Sequence, residues 1–262
     1  MKTVVTDLDG TILNNGELSQ KTIAVFHKFQ ENNRLVLATG RNLKSAEKVY
    51  KQFKMEQYQR GALILVNGLE MYDFHDQEFI SLNSFQQKDI RRIIRVAYLL
   101  LFRMTIVGED ERIQYPCMYD QIYYFLRYII KHKPMKSFQK QALPHHIQKI
   151  ELGGTICFNF FYKLLKICLS RYEIVKVNQY WIEILPKGTN KNNMLSHYLE
   201  KYQITEDQLY VFGDGENDVA MLKNHIHSYA PENAMKEAKE AAHFQCSSCQ
   251  NDGVASIIEK LK

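Results

Sequence analysis

Short apolar runs recur toward both ends of this 262-residue chain, each closing in a polar or glycine-containing turn. Val4-Val5-Thr6, Leu35-Val36-Leu37-Ala38, Ala62 through Val66 and Leu209-Tyr210-Val211-Phe212 read as buried strands of a parallel sheet. Between them apolar residues return at helical spacing. Ile23, Phe26 and Phe29 mark one helix ending near Asn32-Asn33, and Leu43, Ala46, Val49 and Phe53 mark a second that starts near Asn42. Met194, Leu195 and Tyr198 mark another. Asn67-Gly68 reads as a hairpin turn into Glu70-Met71-Tyr72. After strand 209–212 the pattern gives a helix over 216–223 and a short strand near Ser228-Tyr229. Pro231 then opens a helix through Ala238, and a final helix runs from about Val254. Strand alternating with helix predicts an α/β fold with a doubly wound parallel sheet, formed by 1–82 and 187–262.

Residues 83–186 have another character. They hold Trp181 and nine of the 16 tyrosines. Ile147 through Leu152 alternates in polarity, as does Glu173 through Val177, and Tyr180 through Leu185 reads as a hairpin partner across Asn178-Gln179. The segment predicts an inserted α+β domain with an antiparallel sheet and helices on one face. Tyr119, Tyr123, Tyr124 and Tyr128 recur at helical spacing and read as packing. His145 and His146 follow Pro144 in a loop and read as solvated.

At 262 residues the chain can hold one large domain or two modest ones, and a hydrophobic share of 45% is enough for a real core. Charge divides it. Residues 84–186 carry 16 Lys+Arg and eight Asp+Glu, a balance of +8, whereas the remainder stands at −3. A basic insert beside an acidic core attracts anions, and lysines also simply solvate a surface; both readings stand. No nucleic-acid-binding motif accompanies the basic residues. The longest apolar run, Val96 to Phe102, lies between Arg95 and Arg103 and falls well short of the roughly 20 residues that span a bilayer. Candidate chemistry beginning at Asp7 leaves no room for a signal peptide. The expectation is a cytoplasmic protein with neither a nucleic-acid nor a membrane partner.

Of the five cysteines, Cys117, Cys157 and Cys168 lie in the insert, and Cys246 and Cys249 form a lone Cys-x-x-Cys with His243 three residues before it. That set lacks the further ligands of a zinc site. It also lacks the strand-to-helix context of a redox pair.

The strand ends carry the chemistry. Thr6-Asp7-Leu8-Asp9-Gly10-Thr11 places two aspartates where the first strand stops, with Gly10 allowing a sharp turn. Alternation sends Asp7 and Asp9 to the same side. Close carboxylates repel each other, and a hard divalent cation such as magnesium relieves that repulsion. One carboxylate is then placed to attack an electrophile while the other handles the proton. A polar turn uses the same residues, so the pair gains meaning from its company. Gly213-Asp214-Gly215-Glu216-Asn217-Asp218 delivers a second acidic cluster at the end of another buried strand, the edge where open parallel sheets bind ligands. Thr39-Gly40-Arg41 offers a hydroxyl and backbone N–H groups before a helix, which suits an anion. Lys191, opening another helix, offers an ammonium.

Together these segments resemble the haloacid dehalogenase-like superfamily of hydrolases. Asp7-Leu8-Asp9-Gly10-Thr11 matches its first motif, Thr39-Gly40-Arg41 its second, Lys191 its third, and Gly213-Asp214 with Asn217-Asp218 its fourth. Order and spacing resemble the Cof-type subgroup, which carries a large cap between the second and third motifs. Pro231-Glu232-Asn233-Ala234 and Asn251-Asp252-Gly253-Val254-Ala255 fit its tail. Asn192 departs from the small residue usual after the lysine. The resemblance implies a Rossmann-like core with 83–186 as a substrate-specificity cap, and Mg2+ as cofactor. It implies Asp7 as nucleophile, Asp9 as acid and base, and Asp7, Asp9, Asp214 and Asp218 about the metal, Asp218 in its outer shell. It further implies Thr39, Gly40, Lys191 and Asn217 as the groups that hold the phosphoryl group. The expected function is a magnesium-dependent phosphatase of small phosphorylated metabolites, sugar phosphates or a phosphorylated cofactor, working through an aspartyl-phosphate. A phosphomutase, or a non-catalytic regulator that binds a phosphometabolite, remains the alternative.

Overall fold

Val4 and Val5, both fully buried, lie on an inner strand of an eight-stranded sheet. The computed structural model describes residues 1–108, 111–115, 118–131, 143, 146–154 and 158–261. In chain order the first part holds β1 (Thr3–Thr6), α1 (Gln20–Gln30), β2 (Arg34–Ala38), α2 (Leu43–Gln52), α3 (Met55–Tyr58), β3 (Ala62–Leu65), β4 (Glu70–Asp73) and β5 (Glu78–Ser81). The insert follows with α4 (Gln87–Leu99), β6 (Arg103–Gly108), β7 (Arg112–Tyr115), α5 (Met118–Lys131), β8 (Ile147–Gly153), α6 (Phe158–Cys168), β9 (Glu173–Asn178) and β10 (Trp181–Leu185). The chain ends with α7 (Lys191–Tyr202), β11 (Leu209–Phe212), α8 (Val219–Asn224), β12 (Ser228–Pro231), α9 (Lys236–Ala241), β13 (Phe244–Cys246) and α10 (Gly253–Ile258). It divides into two compact units, 1–82 with 189–262, and 83–188.

The large sheet has the order β13-β12-β11-β1-β2-β3-β4-β5. From β13 to β3 neighbouring strands are parallel, and β4 and β5 add an antiparallel edge. From β1 the chain moves to β2 on one side, whereas β11 flanks β1 on the other. The sheet therefore changes winding direction at β1, the place beyond whose strand carboxyl ends open α/β sheets bind ligands. Side chains cap the helices beside it. Ser19 accepts from Thr22 N–H before α1, Asn42 from Ser45 N–H before α2, and Asn190 from Asn193 N–H before α7. One cluster joins Val5, Val36, Ile64 and Val211 of the sheet to Met194, Leu195 and Tyr198 of α7 and Met221 and Leu222 of α8. Phe26 of α1 stacks on Phe53 at the end of α2, ring centroids 4.8 Å apart, and buried Gln30 donates to the Phe53 carbonyl at 2.9 Å.

The insert is a five-stranded antiparallel sheet, β7-β6-β8-β10-β9. Its apolar positions Met104, Ile106, Ile150, Leu152, Ile182 and Ile184 pack with Ile90, Ile93 and Ala97 of α4 and Phe158 and Leu165 of α6. Intervening positions carry charge: Lys149 pairs with Glu183 and, at 3.5 Å, with Glu151, which also pairs with Arg112. Lys187 and Gly188 cluster with this unit, Gly188 N–H donating to Glu173. No helix among the described residues is long and apolar enough to cross a membrane.

Pro231 does not open a helix. It ends β12, Glu232 N–H continues the pairing by donating to Cys246 O at 3.0 Å, and α9 begins at Lys236. The short partner β13 carries no apolar signature, because Phe244 and Gln245 are exposed. Cys117, Cys157, Pro144 and His145 lie outside the described residues, as do the side chains of Tyr119, Tyr123 and Tyr124.

Phe53 is fully buried against Phe26, so Phe53→Ala removes both a ring's burial and its stacking partner. Urea unfolding is expected to show a loss of about 3–5 kcal/mol; a loss below about 1 kcal/mol would contradict this packing.

Candidate active site

Asp7 continues β1 beyond its last residue, its N–H donating to Phe212 O of β11 at 3.0 Å. The chain then folds back sharply: Leu8 O accepts from Thr11, Ile12 and Leu13 N–H, and Gly10 takes φ +83°. A side chain at Gly10 is excluded twice over, since a Cβ there would lie 2.3 Å from Asp214 Oδ2. The β1 and β11 loops thus touch at this glycine. Thr11 Oγ1 fixes the contact by donating to Asp214 Oδ1 at 2.9 Å.

Lys191 stands at the first turn of α7 and is completely buried. Its Nζ donates to Asp7 Oδ1 at 2.6 Å and to Asp218 Oδ1 at 2.7 Å. Asp218 Oδ2 accepts from the N–H groups of Asp214 and Gly215, both at 3.0 Å, so this side chain organises the loop that carries Asp214. Carboxylate oxygens of Asp7, Asp214 and Asp218 lie within 4.8 Å of one another. The structure therefore gathers Asp7, Asp214, Asp218 and Lys191.

Asp9 stands apart from that group. Its carboxylate is exposed and held by Arg41, Nε donating to Oδ2 at 2.8 Å and Nη2 to Oδ1 at 2.5 Å. Thr39 is buried and its hydroxyl accepts from Arg41 N–H at 3.2 Å. Gly40 follows at the approach to α2. Asn217 is joined to Gly40 through Asn67, whose Oδ1 accepts from Asn217 Nδ2 at 2.9 Å and sits 3.1 Å from where a Gly40 Cβ would be. Arg41 and Asn67 are members of this cluster that sequence reasoning gave no role. Arg41 was visible only as the last letter of Thr-Gly-Arg, and Asn67 was absorbed by its reading as a hairpin turn.

Charge in the cluster is unbalanced: three carboxylates face one buried ammonium. Burial pushes the Asp7 carboxyl up to about 8 against the pull of Lys191, with Asp218 and Asp214 adding repulsion. Burial and then Asp218 push Asp214 up to about 6, while Thr11 and Lys191 pull it down. For Lys191, burial opposes the charge, yet the two aspartates win and raise its pKa, keeping it protonated. Fully ionised, these three carboxylates beside one ammonium leave two uncompensated negative charges, which suits a hard divalent cation. Among the described residues this is the one group of side chains arranged to hold a metal. Cys246 and Cys249 are free thiols, and burial pushes Cys246 up to about 12, away from reactivity. His243 Nδ1 instead contacts Ser228 Oγ at 3.0 Å.

A haloacid dehalogenase-like hydrolase family model matches residues 4–258, and the chain belongs to that family. It is an enzyme of the hydrolase class. A curated relative, the 5-amino-6-(5-phospho-D-ribitylamino)uracil phosphatase YwtE of Bacillus subtilis, is 31% identical over 137 residues, a match spanning 48% of each chain. The putative phosphatase YxeH of the same organism is 24% identical and aligns over 99% of this chain and 98% of its own. The fold is that of a haloacid dehalogenase-like hydrolase from Bacteroides thetaiotaomicron, at a TM-score of 0.80 and 23% identity, covering 100% of this chain and 99% of that one.

The raised carboxyl groups make stability pH-dependent. Asp7 and Asp214 bind protons more tightly folded than at their ordinary value of 3.8. Their contribution is therefore full below that value and is lost as pH rises through about 6 for Asp214 and about 8 for Asp7. In EDTA the melting temperature should fall across this window, and Asp7→Asn should lose the upper part of the fall. Identical pH profiles for the two proteins would contradict the assignment.

Proposed function

We propose that this hydrolase is a magnesium-dependent phosphatase of small phosphorylated metabolites, with Asp7 as nucleophile. The observation that carries the reading is the buried Lys191 bridging Asp7 and Asp218 while Asp214 completes a three-carboxylate group. Asp7 and Asp214 would hold the cation, with Asp218 supporting the loop from behind. When bound, magnesium offsets carboxylate repulsion and lowers the charge that a phosphate ester presents to a nucleophile.

Asp7 is buried and tethered at one oxygen by Lys191, which fixes its direction. Its carboxylate attacks phosphorus, the bond to the leaving oxygen breaks, and Asp9 delivers a proton to that oxygen. Asp9 then takes a proton from water, which attacks phosphorus and releases inorganic phosphate and free Asp7. The Asp9–Arg41 pair is no obstacle, since an ion pair this exposed is worth only about 0–1 kcal/mol. Lys191, the Thr39 hydroxyl, the Gly40 N–H and the Asn217 amide spread the charge of the transferring group. The 83–188 unit selects the leaving group. Its +8 balance over 84–186 and the phosphorylated ribitylamino compound named for YwtE both support a small anionic metabolite.

Asp7→Asn should fold and lose at least about a hundredfold in turnover, because an amide cannot form the acyl phosphate. EDTA should stop the wild-type enzyme and magnesium restore it. A panel of phosphate esters followed by phosphate release reads both effects. Near-normal turnover in folded Asp7→Asn, or full activity after rigorous metal removal, would defeat the proposal. Isomerised sugar phosphate without phosphate release would assign a mutase instead.

A further inference from the structure

Between β3 and β4, Val66, Asn67 and Gly68 all take left-handed φ values of 49°, 55° and 92°. For a β-branched valine this conformation is strained, and such strain persists where the surroundings over-determine the backbone. A simple two-residue hairpin turn is not what the chain builds. The register pairs Leu65 with Glu70, so four residues form the connection.

The surroundings are the phosphate-binding elements themselves. Val66 N–H donates to Arg41 O at 2.9 Å, and Asn67 N–H to Thr39 O at 3.0 Å. Gly68 lies against the start of α7, where a Cβ would fall 2.2 Å from Asn190 O and 2.9 Å from Lys191 N. The turn is wedged between the Thr39–Arg41 loop and the Lys191 helix start. From it the Asn67 side chain, only 4% exposed, reaches over Gly40 and accepts one of the two Nδ2 protons of Asn217.

We propose that Asn67 is a positioning residue for the phosphoryl group: it locks the rotation of the Asn217 amide and holds it in register with Gly40. This rests on the reading of Thr39, Gly40, Lys191 and Asn217 as the phosphate site. A terminal amide rotates in a broad, roughly two-fold well, so an unheld Asn217 presents its remaining donor and acceptor in interchangeable positions. With Nδ2 committed to Asn67, one arrangement remains. Asn67 acts on phosphate through Asn217.

The left-handed backbone supplies a diagnostic variant. Glycine adopts this conformation without strain, so Asn67→Gly keeps the turn and deletes only the amide. Inorganic phosphate, titrated calorimetrically in saturating magnesium, probes the site independently of turnover. Asn67→Gly should melt no lower than wild type and bind magnesium equally, yet bind phosphate about tenfold more weakly, with a matching rise in KM for p-nitrophenyl phosphate. Asn67→Gly combined with Asn217→Ala should bind phosphate no more weakly than Asn217→Ala alone, because both act through one amide. If Asn67→Gly does not fold, Asn67→Ala replaces it, deleting the same acceptor at the cost of some strain in the left-handed turn. It must lose phosphate affinity without losing magnesium affinity.

Wild-type phosphate affinity in either folded variant, fully additive losses in the double variant, or a wild-type protein that does not bind phosphate would overturn the inference. Phosphate binding that depends on Asn67 in a protein that hydrolyses no ester would uphold it and refute the phosphatase reading instead.

Discussion

A lysine ammonium buried to zero exposure organises this protein. Unpaired, such a charge is expensive, and removing one partner of a buried pair typically costs about 3–5 kcal/mol. Lys191 must therefore keep Asp7 and Asp218 beside it, and they come from opposite ends of the chain. Asp7 follows β1, Asp218 follows β11, and Lys191 opens α7. One interaction thus ties the change of winding in the sheet to the helix packed against it. The same interaction aims Asp7 and, through Asp218, shapes the loop that presents Asp214. Fold specificity and candidate chemistry rest on the same three side chains.

The glycines at this edge follow from that crowding. Gly10 and Gly213 sit where any Cβ would strike Asp214 or Asp218, and Gly68 where it would strike the backbone before Lys191. Each lets two chain segments approach more closely than side chains allow. Asp9 stands outside the crowd on an exposed ion pair, so the group assigned to move protons is the one least constrained. A nucleophile needs a fixed direction, whereas an acid-base group must serve both leaving oxygen and water. The difference in restraint between Asp7 and Asp9 matches those tasks.

Much of this was legible in the sequence because strand ends in a parallel sheet advertise themselves. Val4-Val5-Thr6 and Leu209 through Phe212 are apolar on both faces, so the aspartates after them had to lie at one edge. Helix starts near Asn42 and at Lys191 were equally plain, because apolar residues return at helical spacing after each; the structure adds a capping asparagine at both. What failed was structure without an apolar signature. β13 exposes Phe244 and Gln245, and Pro231 reads as a helix start because a proline looks the same at a strand's end. Pairings between distant residues were also hidden. Arg41 with Asp9, and Asn67 with Asn217, depend on loop geometry that local spacing does not encode. Asn-Gly is a strong local turn signal, and that strength masked the side chain's long-range partner.

If Asp7 is the nucleophile, it carries the phosphoryl group during turnover. The most direct test is acid quenching of wild-type enzyme during turnover of p-nitrophenyl phosphate, followed by peptide mapping by mass spectrometry. One added phosphoryl group is expected on the peptide containing Asp7, placed on that residue. Sustained turnover with no phosphoryl group there, or with one trapped on a different side chain, would contradict that role.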